Sequence, residues 1–486
     1  MLLSNYTLSW VEVTGWLGVL YFLIVGLTLM WVLSIKKESM SAVAWCLTVL
    51  LIPFLGAALF YFFGYQSVHR PIKRKREHAN RLRQKQTATG EGPKIPTGVV
   101  APPGWEDIAH LALQLGAGPL VGGNQVELYH SGTTTFEAML AAIRAAQNHI
   151  HMEFFIFRAD ATGQRFIEAM AERAKAGVEV RFVYDAVGCW GLRSTLLKQL
   201  IDAGGRVAPF LTLLNPFRRL IRINLRNHRK ILVIDGKVAF TGGINIGDEY
   251  ATTSPKFGAW RDTHLRVEGP AASWLQRVFI EDWNFATEED LVSDRYLPKT
   301  PAAGKTQVQI AWSGPDQEIK TIREVLFAVI MRAQKRVWIA SPYFVPDVGL
   351  LDALCLTART GRDVRVLLPF RPDKWVPFLA GRYYWRDLLA AGGKIYQYTP
   401  GFMHAKVIIA DDAWCSVGSA NFDNRSLFLN FEANCLIESP DIVKQLEAQF
   451  LADFAVSIRV DPESFAQRGF ISRLAENGCR LLSPVL

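Results

Sequence analysis

Charge is scarce at the start of this chain. No charged residue occurs from Thr14 to Ile35, and none from Met40 to Gln66; Lys36, Lys37 and Glu38 separate the two runs. Residues 1–13 hold no Lys or Arg, and no small-residue cleavage site divides the runs. Both absences argue against a secretory signal peptide. Each run is long enough to cross a bilayer, and Pro53 and Gly56 in the second are tolerated by membrane helices. Cysteine is also sparse. The six, Cys46, Cys189, Cys355, Cys415, Cys435 and Cys479, show no metal-ligand spacing, and several lie in apolar runs. They read as small buried side chains in a reducing compartment rather than as disulfides.

What is present is apolar surface and a block of positive charge. Half of the 486 residues are hydrophobic, with net charge +9. Eight basic residues follow the second run: Arg70, Lys73, Arg74, Lys75, Arg76, Arg81, Arg83 and Lys85. They predict a two-helix membrane anchor over residues 1–67, with everything after it on the cytoplasmic side. Lys36 and Lys37 would then face outward, against the rule. The same basic block would be drawn to an anionic membrane surface. Residues 86–104, rich in Gly, Pro and Thr, read as the end of a linker spanning 68–104.

One pattern occurs twice. HRKILVID gives His228, Lys230 and Asp235; HAKVIIAD gives His404, Lys406 and Asp411. At one fixed offset beyond each Asp, Gly242, Gly243 and Asn245 line up with Gly418, Ser419 and Asn421. The apolar run after each Lys reads as a buried strand. Side chains alternate along a strand, so His and Lys two apart share a face. The flanking segments also repeat: 150–157 matches 337–345, and 200–210 matches 388–398. Alternating strands and helices predict α/β sandwich repeats, with one mixed sheet each. They span residues 105–295 and 296–486, with the boundary within 287–308.

Two His and two Lys converging on one pocket suit phosphodiester chemistry. One imidazole attacks phosphorus, and the other protonates the leaving alcohol and deprotonates the incoming one. The lysines, with Asn245 and Asn421, hold the non-bridging oxygens, so no metal or other cofactor is expected. An attacking imidazole needs a carboxylate on its other nitrogen. Asp262 and Glu432, each some thirty residues after a His, are the candidates. Asp235 and Asp411 complete the catalytic set, although Asp235-Gly236 and Asp411-Asp412 fit turn chemistry equally well.

The doubled motif resembles the phospholipase D superfamily. With SGPD at 313–316, YFVPD at 343–347 and the apolar N-terminus, it is similar to the bacterial cardiolipin synthases of that superfamily. The resemblance covers essentially the whole chain. It implies transfer of a phosphatidyl group from one phosphatidylglycerol to another, giving cardiolipin and glycerol. It further implies His228 as nucleophile, His404 as acid, and residence in the bacterial inner membrane. Water or serine as acceptor remains open from the motif alone. The anchor argues against a nucleic-acid substrate, and oligomeric state is not encoded. Residues 211–226, with Arg218, Arg219, Arg222 and Arg226 among Leu, Ile and Phe, read as either a lipid-facing lip or a buried strand. Trp375, Tyr383, Tyr384 and Trp385 are either interfacial or core residues.

Overall fold

The computed structural model describes residues 10–35, 39–61, 75, 77, 79–81, 105–211, 225–252, 257–291 and 293–486. Lys36, Lys37, most of the basic block, residues 86–104 and most of 211–226 lie outside them. The chain forms two units, an N-terminal helical one and a much larger one from Lys75 onward.

In the first unit, the helix Trp10–Ile35 is the one described helix long and apolar enough to cross a membrane; mean hydropathy over Gly18–Ile35 is 2.3. The second uncharged run does not form one helix. It is Ser39–Leu51 followed by Pro53–Leu59, because Ile52 leaves helical geometry and Pro53 starts the next piece. Proline lacks an N–H and suits a first helical position rather than an interior one. Val25, Val32, Val49 and Phe60 pack together, while Phe22, Met30, Leu33 and Leu51 are exposed.

The second unit is built on strands β1 (Val121–Tyr129), β2 (His149–Phe154), β3 (Glu179–Asp185), β4 (Arg206–Phe210), β5 (Lys230–Ile234), β6 (Val238–Gly242), β7 (Ala259–Arg261), β8 (His264–Glu268) and β9 (Thr306–Ser313). They continue with β10 (Arg336–Ala340), β11 (Phe344–Val345), β12 (Asp363–Pro369), β13 (Lys394–Tyr398), β14 (Gly401–Met403), β15 (Val407–Ala410), β16 (Trp414–Gly418), β17 (Phe422–Asp423), β18 (Glu432–Glu438) and β19 (Ser457–Arg459). The expectation of one sheet per repeat is corrected. Fifteen strands form a single sheet in the order β19-β13-β12-β10-β15-β16-β18-β9-β1-β8-β6-β5-β2-β3-β4. It is continuous because β9 pairs antiparallel with both β18 and β1. Outward from that seam the two sides run alike: β18, β16, β15, β10, β12, β13 against β8, β6, β5, β2, β3, β4.

Helices cover both faces, as the parallel crossovers β2-β3-β4 and β10-β12-β13 require. Helices Ala272–Thr287 and Pro440–Ala455 bury Leu275, Val278, Leu446 and Phe450 against both halves of one face. On the other face, Gly132–Ala145 and Ala161–Lys175 pack on the first half. Thr321–Arg332, Val348–Arg359 and Trp375–Ala390 pack on the second. In that last helix Tyr384 and Trp385 are core residues, and Trp375 is exposed.

Candidate active site

Both motif strands are wholly buried, and each His stands just ahead of its strand. The segment leading into each His is stitched to the opposite half. Asn227 bridges Phe431, and the His228 N–H donates to the Phe431 carbonyl at 2.9 Å. Likewise β14 pairs with β7, and the His404 N–H donates to the Arg261 carbonyl at 2.8 Å. The residue after each partner segment is an acid, so the carboxylates pair crosswise. His228 Nδ1 lies 2.9 and 3.0 Å from the two oxygens of Glu432. His404 Nδ1 lies 2.6 Å from Asp262 Oδ2. Each acid therefore serves the His of the other half, not the His it follows in sequence. With Nδ1 occupied, Nε2 is the nitrogen left for chemistry.

All of these groups are buried. Lys230 Nζ donates to the His228 carbonyl at 2.7 Å, and Lys406 to that of His404. Burial pulls Lys230 down to about 7, with Glu432 opposing, and Lys406 down to about 8, with Asp262 opposing. Burial and then Lys230 and Lys406 push His228 well below its ordinary range. Burial and Lys406 bring His404 to about 4, against the pull of Asp262. Both imidazoles are therefore neutral at pH 7, the form a nucleophile needs.

The two acids differ. Burial raises Glu432 to about 7, although Lys230 and the hydrogen bonds of Ser419, Ser426 and Asn430 oppose it. Burial also works against Asp262, yet Lys406 and His404 hold its carboxyl below the ordinary value. Ser419 Oγ donates to Glu432 Oε2 at 2.5 Å. Its counterpart Gly243 has no room for a side chain, since a Cβ there would sit 2.0 Å from Asp262 Oδ1.

Other candidates sit less evenly. Asn245 is committed: its Oδ1 accepts from the Ile156 N–H at 3.2 Å and its Nδ2 donates to the Tyr250 hydroxyl at 2.7 Å. Asn421 Oδ1 is buried without a hydrogen-bond partner among the described residues. Asp235 and Asp411 are corrected: the structure does not bring them to the pocket. They lie at the far ends of β5 and β15, about 16 Å along the strand from the lysines at about 3.3 Å per residue. Both take left-handed backbone, with φ of 53° and 51°, which Asp tolerates. Asp235 accepts from the N–H groups of Gln147, Asn148 and His149, and Asp411 from those of Gln334, Lys335 and Arg336. Each carboxylate thus anchors the start of the neighbouring strand.

Two arginines behind the site were not singled out from the sequence. Arg229 donates to the Glu432 carbonyl at 3.2 Å and to Asp282. Arg261 donates to the Asp262 carbonyl at 2.6 Å and pairs with Asp453 at 2.9 Å. The signal was there: Phe279-Ile280-Glu281-Asp282 and Phe450-Leu451-Ala452-Asp453 share an F-x-x-D pattern about twenty residues after Asp262 and Glu432. Lys75 Nζ completes the first cluster, 2.9 Å from Asp282 and 3.3 Å from Asp316.

A family model described as cardiolipin synthase, PLD-like domain matches residues 139–283 and again 326–454. A second, phospholipase D-nuclease N-terminal, matches 19–64. The chain is 40% identical to the cardiolipin synthase of Geobacillus thermodenitrificans, covering 93% of this chain and 90% of that one. It is 36% identical to that of Halalkalibacterium halodurans, covering 97% and 95%. The crystal structure of phosphatidylserine synthase from Haemophilus influenzae superposes with a TM-score of 0.58 at 15% identity, over 78% of this chain and all of that one, a likeness of fold. By its paired domain matches and its full-length relatives, this chain belongs to the bacterial cardiolipin synthase family of the phospholipase D superfamily.

Proposed function

We propose that this protein is a membrane-bound cardiolipin synthase. It moves a phosphatidyl group from one phosphatidylglycerol to a second and releases glycerol. The observation that carries the reading is the crossed pair His228–Glu432 and His404–Asp262 flanked by Lys230 and Lys406. His228 Nε2 attacks phosphorus, and the bond from phosphorus to the glycerol oxygen breaks. His404, protonated in the anionic complex, gives its proton to that oxygen. A hydroxyl of the second phosphatidylglycerol then passes its proton to His404 and attacks phosphorus, breaking the P–N bond. The lysines and Asn421 hold the non-bridging oxygens throughout. The ionised Asp262 favours the charged form of His404, and the more readily neutralised Glu432 leaves His228 the nucleophile.

The reading includes a pseudo-twofold pair of repeats, 105–295 and 296–486, following a basic linker and a two-span anchor over 1–67. The catalytic part faces the cytoplasm. The matching strand order on either side of β9 and the basic block after the second uncharged run support this arrangement. The test is product analysis with phosphatidylglycerol as the only lipid and a chelator present. Cardiolipin with equimolar glycerol is expected. Phosphatidic acid alone would make water the acceptor, and phosphatidylserine on adding serine would make serine the acceptor.

A further inference from the structure

The helix Phe470–Arg480 is mounted the wrong way round for a soluble protein. Its inward side is polar: Glu476 is buried, held by Arg382 at 2.8 Å and by Arg468 at 2.8 Å, with Ser472 on the same side. Its outward side is apolar: Phe470 is 72% exposed, Ile471 82%, Leu474 58% and, just past the end, Leu481 73%. At 3.6 residues per turn these four share one face, opposite Glu476. The ion pairs fix this orientation, so the apolar face is not a frayed end. A built apolar face turned to water marks a surface meant to be covered.

Charge identifies the cover. Arg473 and Arg480 are exposed along one flank, and no acidic side chain is exposed between Phe470 and Leu486. A second copy docking by the same face would bring like charges together, whereas an anionic bilayer complements them. The position fits a lipid substrate. The Arg425 N–H donates to the Leu486 carbonyl at 2.6 Å, and Asn424 donates to the Ser483 carbonyl at 3.1 Å. The tail is therefore tied to the segment that carries Asn421. We propose that this helix lies in the headgroup layer of an anionic bilayer, as a membrane contact of the catalytic unit distinct from the N-terminal helices. Its apolar face sits among the acyl chains and its arginines among the phosphates.

The experiment uses the full chain, one copy per lipid nanodisc of phosphatidylglycerol and phosphatidylcholine. Cys46 and Cys479, which are not fully buried, are replaced by Ser, and Leu474→Cys carries an environment-sensitive fluorophore. Quenching by lipids brominated on the acyl chain, with protection from aqueous iodide, is expected. Quenching by iodide alone overturns the proposal, as does a shift seen only when discs hold two copies. In parallel, the double variant Ile471→Asp, Leu474→Asp is assayed in mixed micelles. A rise of about tenfold or more in the half-saturating surface fraction of phosphatidylglycerol, with unchanged maximal rate, is expected, equivalent to about 1.4 kcal/mol of interfacial binding. An unchanged half-saturating fraction overturns the proposal, as does a fall in maximal rate alone with thermal unfolding unaltered. If the wild-type protein makes no cardiolipin, the quenching still decides the membrane contact separately from the reaction.

Discussion

The two imidazole sites reach the same end by complementary means. In each, the carbonyl of the acid is held by an arginine, and that arginine by an aspartate on a helix covering the same sheet face. In the His228 site the arginine is Arg229, inside the motif, and the residue before Glu432 is Phe431. In the His404 site the motif residue is Ala405, and the arginine is Arg261, the residue before Asp262. The arginine has changed places while its contacts have not. The geometry behind the pocket is therefore what the two copies share, more than the sequence around each His. The acids differ correspondingly: Asp262 is small, ionised and packed on Gly243, whereas Glu432 is longer, raised to about 7 and propped by Ser419.

The sharpest break comes at the histidines. His228→Ala and His404→Ala should each lower cardiolipin synthesis by about a thousandfold or more. A phosphatidyl adduct trapped by acid quench should persist in His404→Ala only; an adduct in His228→Ala would exchange their roles. Next come the backing aspartates, read by denaturant unfolding. Asp282→Ala removes the carboxylate that Lys75 and Arg229 share, leaving two buried cations with Asp316 and backbone carbonyls, and should cost about 3–5 kcal/mol. Asp453→Ala should cost about 1–3 kcal/mol, because Arg261 keeps the Asp262 carbonyl and Thr263. Equal losses would erase the difference between the sites.

The acids themselves should separate in rate. Asp262→Asn is expected to slow turnover about a hundredfold and Glu432→Gln about tenfold, since only the first removes a carboxylate that is fully charged at pH 7. Glu432 also leaves a mark on stability. Its folded pKa, about 7, stands above the ordinary 4.5, so between those values the folded chain binds the extra proton. Stability contributed by this group falls as pH rises through that window. Glu432→Gln should flatten that slope in unfolding measured from pH 4.5 to 7, while Asp262→Asn should leave it intact. The smallest effect belongs to Ser419→Gly, which copies Gly243 and should cost about 1 kcal/mol. A loss of several kcal/mol would show that the hydroxyl matters more than its bonds to Glu432 and the Ala433 backbone.

Much of this was legible in the chain. The doubled motif located both His-Lys pairs, and the spacing of Asp262 and Glu432 found the carboxylates that meet the two imidazoles. The crossing of the pairs was not legible, because it depends on Asn227 meeting Phe431 and β14 meeting β7, contacts between segments roughly 140 to 200 residues apart. Asp235 and Asp411 misled because a motif records what recurs, and a strand-anchoring turn recurs as faithfully as a catalytic group. Asn245 misled in the same way, since its match to Asn421 conceals Tyr250, which has Ser426 as its counterpart. The second apolar run reads as one span because membrane helices tolerate Pro53 and Gly56, whereas the missing N–H of Pro53 starts a new helix there.

The stitch between Asn227 and Phe431 bears on how the protein is made. A chain emerging from the ribosome carries His228 and Lys230 some two hundred residues before Glu432 appears. Until then the first imidazole lacks its carboxylate, and Asp262 waits for His404. The two crossed pairs can therefore close only when roughly the last ninth of the chain emerges, so the paired site is assembled late in translation rather than half by half.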